Sequence, residues 1–149
     1  MYSGQLDLAR TALERALEVG PDSDFPHLNL AGTVLFQGKA AEALRWSAQI
    51  KNPFYKLMFE SMARHSLGHA KESEDSLNEL IRTHGKERPW NVAMTYAWRG
   101  DHGHAFDWLD RAYRQHTAEL VNIKFVLVQN LRGDPRYTAL LKKMNLPLD

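Results

Sequence analysis

Any chemistry in this chain has to come from histidines, carboxylates and hydroxyls, because the sequence holds seven histidines and no cysteine. Lack of cysteine excludes disulfides, thiolate nucleophiles, iron–sulfur clusters and thiolate-bound zinc together. His65 and His69 lie four residues apart, and His102 and His104 two apart. On an unbroken helix a spacing of four puts two imidazoles on one face, as zinc motifs require. Gly68 and Gly103 place turns in or beside both sets, and no His/Glu motif surrounds either. They read as solvated corner histidines; the rival reading aligns His69, His102 and His104 along one edge as a zinc site. Glu72, Glu74, Asp75 and Glu79 fall on one segment and read as a solvated helix face, not an acid/base pair. The isolated glycines form no phosphate-binding loop, and there is no GxSxG nucleophile elbow. These residues describe a chain that is not an enzyme and takes no metal or cofactor.

Charge and hydropathy narrow the partners. With 19 Lys+Arg against 18 Asp+Glu the net charge is +1, far from the strong positive field of a nucleic-acid binder. Residues 86–149 hold 10 basic against 7 acidic side chains, and residues 1–85 hold 9 against 11. Arg132, Arg136, Lys142 and Lys143 therefore read as a solvated final helix in preference to a phosphate-binding patch. At the start of the chain Asp7, Arg10, Glu14 and Arg15 interrupt the apolar residues, unlike a signal peptide. The most apolar run, Leu120 to Leu131, includes Asn122, Lys124, Gln129 and Asn130 and falls short of the roughly 20 residues a membrane span needs. The expectation is a cytoplasmic protein without nucleic-acid partner or membrane insertion. A length of 149 residues, 44% of them hydrophobic, with 6 Phe, 5 Tyr and 4 Trp, supports one domain with a sizeable core.

The elements that would position these residues are repeated. A glycine, then a small residue, an apolar residue four on and another three later recur as Gly4/Ala9/Leu13/Ala16, Gly38/Ala43/Ser47/Ile50, Gly68/Ser73/Leu77/Leu80 and Gly100/Ala105/Leu109/Ala112. The glycines are 34, 30 and 32 residues apart, close to a helix-pair period. Ahead of the last three glycines lie segments such as Leu28-Leu30-Ala31-Val34-Leu35 and Val92-Ala93-Tyr96-Ala97, whose apolar residues recur at three and four. Gly38, Gly68 and Gly100 should end one helix at positive φ. Ala43, Ser73 and Ala105 should lie where two helices cross. Pro21, Pro53 and Pro89 fall near the start of each following pair, where a missing N–H is harmless.

On these residues the chain resembles a tetratricopeptide repeat (TPR) protein from residue 4 to about 116, most clearly across Val92–Gly100 and Ala105–Ala112. The tail Leu131–Pro147 is similar to the ending of bacterial multidomain regulators in which a TPR array follows a signalling or DNA-binding domain. The resemblance implies an all-α fold, a right-handed superhelix of antiparallel helix pairs with a C-terminal capping segment. It divides a single domain, 1–149, into a partial repeat at 4–21, repeats at about 22–52, 53–85 and 86–117, and a cap at 118–149. Two departures stand out. The first repeat starts at its turn, which implies a fragment or an edge covered by another domain or subunit. In the second full repeat, counting back from Gly68 puts Glu60 and Arg64 at apolar positions, whereas a shift of two puts Phe59, Met62, Ala63 and Ser66 there. Either register allows a Glu60–Arg64 pair.

In the family the first helix of each pair lines the concave side. Carried over by the glycine register, this puts Phe25, Leu28, Gly32, Leu35 and Phe36 inward, then Tyr55, Met58, Met62, His65 and Ser66, then Glu87, Trp90, Met94, Ala97 and Trp98. The implied partner-binding groove is Phe25, Leu28, Leu35, Phe36, Tyr55, Met58, Met62, Trp90, Met94 and Trp98. Hardly charged, it differs from TPR modules that clamp a terminal carboxylate, and it suits an apolar or amphipathic peptide or helix of a protein partner. The expected function is non-catalytic protein–protein interaction or scaffolding, as a regulatory part of a larger bacterial protein. The alternative is a structural homo-oligomerisation module whose groove is filled by its own segment Leu120–Val128. That segment is apolar enough to fill the groove, or to cap the last repeat together with Tyr137, Leu140, Leu141 and Met144.

Overall fold

The computed structural model describes residues 3–124 and 126–148. Phe125, and the side chains of Val126, Leu127 and Val128 in the apolar run noted above, lie outside the described residues. Every regular element among the described residues is helical, as the all-α reading expects. The chain divides into two compact units, Met1–Leu80 and Ile81–Asp149.

The first unit contains α1 (Ser3–Val19), α2 (Asp24–Phe36), α3 (Ala40–Ser47), α4 (Pro53–Ser66) and α5 (Ala70–His84) as far as Leu80. Sequence neighbours pack: α1 on α2, α2 on α3 and α3 on α4, with α2 also against α4. The turns carry out what the glycines predict. Gly38 and Gly68 have φ of 76° and 79°. At each, the glycine N–H and the next N–H donate to carbonyls of the last helical turn: Gly38 to Leu35 at 3.0 Å and Lys39 to Val34 at 2.9 Å, Gly68 to His65 at 3.0 Å and His69 to Arg64 at 2.9 Å. Those carbonyls would otherwise be orphaned, and the left-handed residue is what reverses the chain to reach them. Gly4, by contrast, sits inside α1, where its backbone continues the helix.

The start of α2 is fixed from a distance. Its Ser23 N-cap makes no side-chain cap bond. The Asp24 carboxylate instead accepts from the Lys51 and Asn52 backbone N–H groups, both at 2.7 Å, holding the first turn of α2 to the entry of α4. Asn52 in turn caps α4 by accepting from Phe54 N–H at 3.2 Å, with Pro53 at the first helical position. Pro21 lies in the turn before α2.

The α4–α5 contact is polar. At the positions eight, seven and four before their glycines, α2 has Leu30, Ala31 and Val34, all fully buried, whereas α4 has Glu60, Ser61 and Arg64. Ser61 takes the place of Ala31. Its hydroxyl donates to the Ser73 carbonyl and the Ser73 hydroxyl donates to the Ser61 carbonyl, both at 2.8 Å and both without solvent exposure. Arg64 donates to Ser76 Oγ at 2.7 Å and lies 3.9 Å from Glu60, both side chains half-buried. Polar groups are thus partnered on α4 at positions that are apolar and buried on α2. Phe59, Met62 and Ala63 are buried as well, while Ser66 is exposed, so the buried arc of α4 is broad. Each serine bond contributes about 1 kcal/mol net, and the ion pair about 0.3–0.5 kcal/mol.

The second unit contains the last turn of α5, α6 (Pro89–Trp98), α7 (His102–Arg114), 3₁₀ segments Ala118–Asn122 and Val126–Leu131, and α8 (Pro135–Lys143). Gly100 makes the same turn at φ 76°, with Gly100 donating to Ala97 at 3.1 Å and Asp101 to Tyr96 at 3.0 Å. His116 and Asn145 make it at φ 53° and 54° without being glycine. Val92, Ala93, Ala97, Ala105, Leu109, Ala112, Ile123 and Leu131 are fully buried, which places the core between α6, α7 and the segments that follow. The second 3₁₀ segment packs on α6, and α8 on α7.

Candidate functional site

The polar clusters noted in the sequence are distributed over the helix ends and outer faces. His65 and His69 are exposed on either side of the Gly68 turn. His104 Nδ1 lies 2.7 Å from Asp101 Oδ2, and its ring stacks on Tyr96 with centroids 4.9 Å apart at 19°. Asp101 also accepts from His104 N–H at 3.2 Å, so this pair serves to cap α7. Partial burial raises the Asp101 pKa, but the side-chain and backbone hydrogen bonds from His104 and the nearby charges of His104 and Arg99 outweigh it, and the net shift is downward. Among the described residues no group of three His, Asp or Glu side chains could hold a metal ion. Glu72, Glu74 and Asp75 are exposed, and Asp75 pairs with Lys71 at 2.7 Å; the hydrogen bond from Lys71 to Asp75 raises the Lys71 pKa.

The ten groove residues separate by burial. In the first unit Phe25 is 66% exposed, and Leu28, Phe36 and Tyr55 are half-buried; Leu35, Met58 and Met62 are buried at 3%, 4% and 0% exposure. Phe25, Leu28, Gly32 and Phe36 recur at three and four and so share one face of α2. The reason for the split is enclosure. Because α2 packs against α1, α3 and α4, only a narrow arc reaches solvent. Leu35 lies at the border of that arc, beside the buried Val34. On α4 the Tyr55 ring lies 4.2 Å from Phe54, at 41°, and Phe54 itself is buried. A Cβ at Gly32 would make ordinary contact with the Phe59 ring at 3.5 Å, which places this point of α2 beside α4.

In the second unit Trp90 and Met94 are buried at 8% and 1% exposure, and Trp98 is half-buried. The segment Val126–Leu131 packs on α6, and the Asn130 side-chain amide donates to the Ala97 carbonyl, one of the last-turn acceptors of that helix. Arg88 and Glu119 pair at 3.4 Å between the entry of α6 and the first 3₁₀ segment. On the other side α8 is held to α7 by Arg136 over the Phe106 ring at 4.6 Å, Lys143 over the Tyr113 ring at 5.7 Å and Tyr113 Oη donating to the Lys143 carbonyl at 3.2 Å. The Asp134 cap of α8 receives Arg136 N–H at 2.9 Å and the guanidinium at 2.7 and 3.0 Å, which pulls its pKa down to about 2.

Sequence reasoning misses the Asp24 clamp, which joins residues 27 and 28 apart, a pairing that no local pattern announces. The uncovered edge expected of the first repeat lies on α1. Its Leu6, Arg10, Leu13 and Leu17 are half-buried, and Arg10 pairs with Glu42 at 2.7 Å and Glu14 at 2.9 Å. Ala9, Ala12 and Ala16 stay exposed, although the residues matching Ala9 and Ala16 in the other repeats, Ala43 and Ile50, Ser73 and Leu80, Ala105 and Ala112, are at most 2% exposed. No described helix is long and apolar enough to cross a membrane. Neither a family model, nor a curated protein, nor a solved structure matches the chain.

Proposed function

We propose that the chain is a TPR-like array of helix pairs that works without catalysis, as a protein–protein interaction or scaffold module. Its first unit offers the face of α2 and α4 to an apolar or amphipathic peptide or helix of a protein partner. The reading extends to a right-handed superhelix capped by the C-terminal segment, and to a cytoplasmic, regulatory part of a larger bacterial protein. The observation that carries the binding claim is Phe25, an aromatic side chain 66% exposed on the same face as half-buried Leu28 and Phe36. Aromatic anchors of this kind give large contact area at small entropic cost, and the half-buried residues around them exclude water once a partner is seated. The glycine turns at 38, 68 and 100, with a buried small residue five positions after each, support the repeat reading.

The test is a display selection of helical peptides against the purified chain, followed by calorimetry. Amphipathic sequences with micromolar affinity should be enriched, and the double variant Phe25→Ser/Tyr55→Ser should bind them at least tenfold more weakly. Peptides that bind the double variant equally well would overturn the assignment.

A second reading, self-association through α1, is favoured by its uncovered Ala9, Ala12 and Ala16 stripe. Small residues let two helices approach closely, and a two-fold dimer would use the stripe twice. Sedimentation at high micromolar concentration distinguishes it. A dimer that Ala12→Arg converts to monomer supports this reading, and a wild-type monomer removes it.

A further inference from the structure

We draw no further inference here: the strongest candidate, the shallow cleft between α7 and α8 lined by Phe106, Asp110, Arg136, Leu140 and Lys143, has its cations Arg136 and Lys143 already held by Asp134 and Asp110, and nothing in the structure shows what ligand it would take.

Discussion

At equal distances from their glycines, Leu28 and Gly32 of α2 correspond to Trp90 and Met94 of α6. The first two are half-buried, while the second two are 8% and 1% exposed. Both helices are apolar, end in the same left-handed glycine turn and pack on a following helix with a buried alanine at the crossing. They differ in what else lies on them. The chain lays its own 3₁₀ segment on α6 and caps the Ala97 carbonyl with Asn130, whereas the arc of α2 holding Phe25, Leu28 and Phe36 reaches solvent. An apolar face is thus covered or left open according to what the rest of the chain brings to it, and composition alone does not distinguish the two.

The sharpest way to break this contrast is to truncate the matched pair. Trp90→Ala should cost about 3–5 kcal/mol, the usual penalty for emptying a buried aromatic site. Leu28→Ala should cost well under half as much, since its side chain already meets water. Equal losses in denaturant titrations of the two variants would contradict the difference in enclosure. The shared turn should respond alike in both units. Gly38→Ala and Gly100→Ala have open space for a methyl group, so each should lose only the left-handed backbone cost, about 1–2 kcal/mol. His116→Gly reverses the sign, because the exposed histidine already holds φ 53°. It should raise stability by up to about 1 kcal/mol, the relieved strain less the extra entropy of glycine. A thermal midpoint that falls would show that the His116 side chain has a role beyond filling the turn.

Acid should act on the second unit through Asp101 and Asp134, and more gently. The folded-state pKa values of Asp101 and Asp134 lie below the usual 3.8, that of Asp134 at about 2. Their contribution is therefore complete above pH 3.8 and is lost as the pH falls towards 2. Asp134→Asn keeps a capping side chain but cannot titrate, so it should flatten that part of the stability profile. An unchanged slope between pH 4 and 2 would mean that the α8 cap does not contribute.

Helix positions and turns were largely legible because they depend on local rules. Glycine supplies the positive φ at 38, 68 and 100, proline opens α4 and α6, and small residues mark the crossings at Ala43, Ser73 and Ala105. His116 and Asn145 are more weakly marked: both are types enriched in the left-handed region, but far less strongly than glycine. The second full repeat was ambiguous for a physical reason. Ser61 and Arg64 occupy positions that are apolar elsewhere, and their partners Ser73 and Ser76 are 12 residues away on the next helix. The candidate site was legible only as a set of apolar positions carried over from the family. Which of them reach solvent depends on α1 lying against α2 and on the 3₁₀ segment lying against α6, and both are tertiary facts.

The most direct test is to titrate a selected amphipathic peptide into isotopically labelled protein and follow the backbone amide signals. Shifts clustered at Phe25, Leu28, Phe36 and Tyr55, absent in Phe25→Ser and with the thermal midpoint of that variant unchanged, are the predicted result. Shifts confined to residues 81–149 or to α1, or a Phe25→Ser variant that binds as tightly as the wild type, would contradict the account.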